Sequence, residues 1–433
     1  MKNEYSQGVK GLLPSNFNIV ENNVPEWLKN NKVYAWDNFN TLTANIKREK
    51  FKNIIESLDF SNLEFSSAFS EPTNISEFRK TWKKLSASFI LNGSDKNNFI
   101  DEELIKKGVI LKPLSLAMIE NEDLVKPYLT KLNISSKDSR FISLAESMWL
   151  DGIFLYIPKD LDILLPIHLL RYINKGNTQN YYKNLIVIDS NSKVTLINES
   201  ISKDTDAPFL VDGVTEIHVK ENSHVSSLYI QNFDYNAFNF SLRKAHVGKN
   251  STLKTLSISI GSKFSYEGLK TYAEGDGSHI ELLGLVIGEK EQVFQTETLQ
   301  YHPNQNTYSN LHYEVMLKGK SRSAFNGFIE IEKQGKKTDA YQLCRNLLLS
   351  ENAKAEAIPN LEILADDVKC SHGVSIGPVD SEQLFYLMSR GFTKQEAENL
   401  VIEGIIEAVI SKIDDESLSE RLRDFVLENF YKE

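Results

Sequence analysis

Apolar and polar positions divide the chain into three stretches of different rhythm. Through about residue 145, apolar side chains recur every three or four residues, the spacing of one helix face. Val24-Pro25-Glu26-Trp27-Leu28 leads into Tyr34-Ala35-Trp36 and Phe39 on that spacing. Phe78, Trp82, Leu85 and Phe89 predict a second helix, and Leu116-Ala117-Met118 and Val125, Leu129, Leu132 predict two more. Asn92-Gly93-Ser94-Asp95 has the composition of a loop between them.

From Ile153 to about Gly377 the rhythm changes to short β-rich runs divided by Gly, Asn, Asp and Ser. They include 184–188, 194–197, 225–230, 253–260 and 280–287. Several runs follow a similar polar step: Asn222-Ser223, Asn250-Ser251, Gly277-Ser278, Lys320-Ser321 and Glu351-Asn352. Their second members stand 28, 27, 43 and 31 residues apart. An irregular recurrence of that length suits stacked coils better than the tighter spacing of a sandwich. No six-residue period is present, which excludes a left-handed hexapeptide helix.

The last fifty residues return to helical spacing. Asp380 with Gln383 forms a capping signal ahead of Leu384, Leu387 and Met388, and Gly391 closes that helix. Thr393 with Glu396 is a second capping box, followed by Ala397, Leu400, Val401, Ile405, Ala408 and Val409. A third helix carries Leu418, Leu422, Phe425 and Val426. The apolar stripes are broad for so short a tail, so part of this surface is expected to pack on something else. The expected fold is therefore mainly β, a right-handed parallel β-helix flanked by helical N-terminal and C-terminal domains. The boundaries read 1–150, 151–379 and 380–433.

Composition narrows the function. The chain carries 49 basic and 59 acidic residues, a net charge of −10, which disfavours nucleic-acid binding. Its two cysteines, Cys344 and Cys370, are neither a disulfide framework nor a CxxC pair and suit a reducing compartment. Glu4 and the lack of an apolar core near the start give no sign of a signal peptide. No apolar run is long enough to cross a bilayer. A cytoplasmic protein without membrane contact is expected.

Phosphate-cradling and hydrolase motifs are missing. Gly268-Leu269-Lys270-Thr271 lacks the spacing of a Walker A loop, and Gly275-Asp276-Gly277 reads as a turn rather than a dinucleotide fingerprint. Chemistry is densest at Leu361–Gly373. On an extended strand Cys370 and His372 face the same side, and thiolate and imidazole are good ligands for iron or zinc. A buried cysteine beside a hydrogen-bonded histidine is the bland alternative. Asp366 and Asp367 would face opposite sides of such a strand, which argues against a paired-carboxylate glycosidase site. His168, His218, His224, His246, His279, His302 and His312 are scattered singly and read as structural.

The same stretch carries a family resemblance. Leu361-Glu362-Ile363, Ala365–Gly373 and Ser381-Glu382-Gln383-Leu384-Phe385-Tyr386-Leu387 resemble the C-terminal signature of the SufB/SufD scaffold family, on its SufD side. Lys337–Gln342, Asn346–Ser350, Phe325–Ile329 and Gly152–Lys159 resemble further family landmarks. Gly373-Val374-Ser375-Ile376-Gly377 departs from the usual Gly-Ala-Thr-Val-Gly, and residues 1–105 are hard to match. The resemblance implies a helical N-terminal region, a right-handed β-helix and a C-terminal helical domain. It also implies a scaffold without catalysis of its own, joined to a SufB-like sister subunit and a SufC-like ATPase, on which iron–sulfur clusters are built.

Further expectations follow from the resemblance. His372 and Cys370 become candidate iron ligands shared with the sister subunit. Asp380, Gln383, Leu384, Phe385, Tyr386, Leu387 and Arg390 become candidate contacts for the ATPase. No tightly bound cofactor is expected in this chain, with iron or a cluster held transiently at the complex. Flavin binding at the complex and a homodimer of the chain alone are left open. A cluster needs about four thiolate-type ligands, more than two cysteines can supply. The competing readings are a SufB-type sister subunit, a β-helix carbohydrate-active enzyme and a structural solenoid.

Overall fold

The computed structural model describes residues 17–18, 20, 22–41, 60–66, 82, 84–91, 99–131, 140–202 and 205–431. From Ile153 onward the strands alternate between two parallel sheets and wind a β-solenoid of about eight coils. The first sheet contains β5 (Ile153–Ile157), β7 (Thr178–Ile188), β9 (Phe209–Val219), β11 (Ala237–Val247), β13 (Phe264–Ala273), β15 (Val293–His302), β17 (Arg322–Ile331) and β19 (Lys354–Ile363). The second contains β6 (Ile167–Ile173), β8 (Lys193–Ser202), β10 (His224–Asn232), β12 (Thr252–Ser259), β14 (His279–Gly288), β16 (Tyr308–Leu317), β18 (Thr338–Leu348) and β20 (Val368–Gly377).

Register explains the irregular recurrence of polar steps. Lys193, His224, Thr252, His279, Tyr308, Asp339 and Lys369 are stacked partners, so one coil takes 27 to 31 residues. Ser223, Ser251 and Ser278 precede the second-sheet strands, and the next equivalent is Thr307. Ser321 precedes a first-sheet strand, so the 43-residue interval is a change of corner. The serines form a ladder: Ser192 N donates to Ser223 Oγ at 3.1 Å and Ser223 N to Ser251 Oγ at 3.1 Å. Beside them Asn191, Asn222 and Asn250 take left-handed φ values of 59°, 57° and 52°, which asparagine tolerates in a tight corner.

Alternation along each strand supplies three apolar layers. The inward set, including Leu155, Ile186, Val211, Val225, Leu253 and Val315, fills the lumen. The outer face of the first sheet packs Leu185, Leu210, Phe240 and Phe264 against Phe141, Leu144 and Met148 of α5 (Arg140–Met148). Helix α1 (Glu26–Thr41) covers α5 in turn. Helices α2 (Glu102–Lys106), α3 (Leu114–Glu120) and α4 (Glu122–Leu129) complete the described N-terminal helices. The outer face of the second sheet packs Leu228, Leu256, Leu283 and Met316 against the C-terminal helices. Each fully buried Leu or Ile contributes roughly 1.5–3 kcal/mol.

A buried ion network lies under the N-terminal helices. Lys183 Nζ of β7 donates to Glu146 Oε1 of α5 at 2.6 Å and to Glu216 Oε1 of β9 at 2.8 Å, with all three side chains under 10% exposed. Lys32 of α1 donates to the carbonyls of Glu146 (3.0 Å) and Trp149 (2.7 Å). Burial opposes the Lys183 charge, yet the two carboxylates more than offset this and its pKa is raised. Burial alone would raise Glu216, but Lys183 and the nearby His218 ring, its Nε2 at 3.8 Å, hold it well below the usual carboxylate range.

Several expectations are corrected. The N-terminal stretch is not only helical: β1 (Glu64–Ser66) pairs with β7, and β2 (Ala87–Ile90) with β6. Two further strands, β3 (Phe99–Ile100) and β4 (Ile110–Pro113), join antiparallel to β2 and β5. Phe89, expected on a helix, lies in β2, and Leu85 precedes that strand. The aromatic spacing there serves strand burial, with Ala87–Ile90 buried on both faces of the strand. Phe78, Asn92–Asp95 and Leu132 lie outside the described residues. Asp366 and Asp367 occupy the bend between β19 and β20 rather than a strand.

Candidate functional site

The solenoid stops without a covering coil. Strands β19 and β20 end the two sheets, so each is paired along one side only among the described residues. Such an edge is a row of free backbone donors and acceptors ready to pair with another strand. Its apolar side chains stay exposed, with Ile358, Leu361, Ile363, Leu364, Val374 and Ile376 between 37% and 48% accessible.

Register places Cys370 and His372 on the inward-facing row of this last coil. Their partners on β18 are Ala340 and Gln342, both buried in the lumen. Cys370 is half-buried against Ile329, Ile331, Ala340 and Ala365, and this burial pushes its thiol up to about 11. His372, one step further along the row, is exposed, and no hydrogen bond or ion pair ties it within the described residues. The strand thus brings thiol and imidazole to one side, as their spacing implied. Cys344 is not with them at the surface: it is buried in β18 opposite Val374, its thiol pushed up to about 12. Among the described residues no group of three His, Cys, Asp or Glu is placed to hold a metal ion. Chemically, Cys370 and His372 can offer two donors to a ligand set completed from outside the chain.

The residues expected to meet a partner lie on α6 (Ser381–Ser389), a helix with no buried residue. Asp380 caps it by accepting from Glu382 N at 2.8 Å; Gln383 does not close the reciprocal box and is simply exposed. Leu384 and Leu387 are half-buried, while Phe385, Tyr386 and Met388 are 74%, 56% and 46% exposed. Arg390 lies over the Tyr386 ring and donates to its hydroxyl at 3.2 Å. Gly391, at φ 102°, ends the helix. Helices α7 (Lys394–Ile410) and α8 (Glu416–Tyr431) behave differently. Their broad apolar stripes, through Ile402, Ile406, Val409, Leu422 and Val426, are absorbed by the second sheet. The exposed apolar surplus of the tail is thus concentrated on α6.

Sequence reading missed associations made across coils. His218 and His246, 28 residues apart, are register partners whose rings stack 4.6 Å apart, with Tyr128 and Tyr272 extending the column. Burial lowers the His218 pKa, and Glu274 accepts from His246 Nδ1 at 2.7 Å. Likewise His168 contacts Glu199 at 2.9 Å from 31 residues away. The signal was a separation equal to one coil.

The solenoid thus ends in an uncovered coil that presents a thiol and an imidazole on one row. Comparison with known proteins gives the family. Residues 171–405 match the model described as SUF system FeS cluster assembly, SufBD core domain, and residues 10–169 match the SufBD protein N-terminal region. The chain belongs to the SufBD family of iron–sulfur cluster assembly proteins. It is similar to an iron–sulfur cluster assembly SufBD family protein of Staphylococcus saprophyticus, 25% identical over 93% of this chain and 90% of that one. It is also similar to SufBD family proteins of Staphylococcus aureus (28%) and Staphylococcus haemolyticus (27%), each over 76% of this chain and 71% of the relative. Among the described residues no helix is long and apolar enough to cross a membrane.

Proposed function

We propose that this chain is the SufD-type, non-ATPase scaffold subunit of a cytoplasmic Suf complex, acting with a SufB-like sister subunit and a SufC-like ATPase. The observation that carries this reading is the uncovered last coil, with Cys370 and His372 on its inward row beside free strand edges. A sister subunit paired there would complete the ligand set for nascent clusters, whose iron and sulfide are cargo. The Cys370 thiol keeps its proton in the free chain, so it becomes a ligand only when a metal or a partner's positive charge displaces that proton.

The SufD side is favoured over SufB by two positions. The family resemblance puts a cysteine of the sister subunit near Ala353 of this chain, and a Glu-His-Glu segment of it at Ser371-His372-Gly373. The exposed Phe385, Tyr386 and Met388 of α6 suit an aromatic anchor for the ATPase. On this reading flavin, if present, belongs to the assembled complex, and the free edges of β19 and β20 pair two copies when the sister subunit is missing. The test is to co-express the three subunits, purify through a tag on this chain, and measure iron and sulfide after reconstitution. A ternary complex that accumulates clusters is expected. Recovery of this chain alone, with cluster build-up unaffected by leaving it out, would overturn the proposal.

A further inference from the structure

The lumen is not apolar throughout. In its early coils a cavity of about 40 Å³ is lined by Arg171, Tyr182, Tyr229, Arg243 and Glu267, room for a few water-sized particles. Both arginines are more than nine-tenths buried, at 7% and 4% exposure. Arg171 stacks on the Tyr182 ring (3.2 Å to its centroid) and donates to Ser200 Oγ at 2.8 Å, and it forms no ion pair among the described residues. Arg243 lies over Tyr229 at 4.1 Å and donates to Ser257 Oγ at 2.8 Å, with Glu267 at 3.5 Å.

Each guanidinium keeps a buried nitrogen without a partner, Nε of Arg171 and one terminal nitrogen of Arg243, and Tyr229 Oη is likewise unpartnered. Of the two carboxylates on the cavity wall, Glu199 is engaged elsewhere and Glu267 divides its oxygens between Arg243 and Ser259. Glu267 accepts from Ser259 Oγ at 2.6 Å, and Glu199 from His168 and Trp82 at 2.9 and 3.3 Å. The site is built for these side chains: a Cβ on Gly213 would meet the Tyr182 ring at 2.2 Å, so glycine makes the space in which the ring beneath Arg171 lies. Buried cations with spare N–H groups require acceptors, since an unpaired buried charge is strongly disfavoured.

We propose that this chamber is a binding site for one small monovalent inorganic anion, held between Arg171 and Arg243. The anion supplies an acceptor to the spare nitrogen of each guanidinium and a counter-charge to Arg171, which has no carboxylate partner among the described residues. It sits inside the early coils, away from the terminal coil, and the inference stands independently of the assembly reading.

Chloride is the probe. With full-length protein, ³⁵Cl NMR should show excess line broadening that bromide displaces. Crystals grown in bromide should show one anomalous peak between the two guanidiniums. Arg171→Met removes the arginine that lacks a carboxylate and should reduce the broadening at least tenfold. Should that variant fail to fold, Arg171→Lys keeps a charge but loses the Nε donor and should weaken chloride binding by a similar factor. Water-like density with no anomalous signal, or broadening unchanged in either folded variant, would overturn the proposal.

Discussion

Replacing Lys183 by Met tests what attaches the N-terminal helices to the solenoid. Its ammonium sits 2.6 Å from Glu146 and 2.8 Å from Glu216 at a site almost closed to solvent. Met fills similar volume but leaves two carboxylates buried without their cation. Removing one partner of a buried pair costs about 3–5 kcal/mol, mostly for the charge left behind. The assay is urea denaturation at pH 7, with amide exchange read separately for α1, α5 and the solenoid strands. Exchange should quicken first in α1 and α5. The pH dependence has a definite sign. Glu216 is depressed below its ordinary value of 4.5, so its contribution is present above about pH 4.5 and is lost as pH falls further. Lys183 is raised above 10.5, so its contribution is present below that value and is lost as pH rises through its folded pKa. The gap between wild type and variant should therefore be widest between about pH 5 and 10 and narrow on acidification. A loss under about 1 kcal/mol, or a gap independent of pH from 3 to 7, would refute this account.

Three further outcomes follow. Phe385→Ala with Tyr386→Ala should leave stability within about 0.5 kcal/mol, because both rings are exposed. Capture of the ATPase should fall at least about tenfold in a pull-down, and undiminished capture would remove α6 from the docking surface. Gly213→Ala should destabilise by about 1–3 kcal/mol in urea, since its Cβ would meet the Tyr182 ring at 2.2 Å; a neutral effect would mean that the ring moves freely. Iodoacetamide should label Cys370 slowly at pH 8 and about tenfold faster for each pH unit toward 10, while Cys344 stays unlabelled until unfolding. Rapid labelling of Cys370 at pH 7 would contradict the burial argument.

The solenoid was legible because β-rich runs and polar corner steps recur along the chain, and the 43-residue interval misled only by joining two different corners. The C-terminal helices were legible from their caps, with Thr393 and Glu396 forming the reciprocal box. Strand β2 was misread because Trp82, Leu85 and Phe89 have helical spacing, whereas partners far along the chain bury the segment as strand. The pairing of Cys370 with His372 followed from strand alternation. Their exposure did not, because it depends on there being no covering coil. The lumen arginines were invisible in sequence for a related reason: Arg171 and Arg243 come to line one cavity only when coils stack.

The most direct test of the assembly reading is His372→Ala in the co-purified complex. His372 is exposed and makes no hydrogen bond within the described residues, so the change should cost under about 0.5 kcal/mol and leave the subunit ratio intact. Removing the imidazole takes away a neutral ligand whose ordinary pKa of about 6.5 also suits proton transfer near pH 7. Iron and sulfide content after reconstitution is the readout. The account predicts an intact complex of normal melting temperature with cluster content reduced several-fold. Normal iron and sulfide in that intact complex would contradict it.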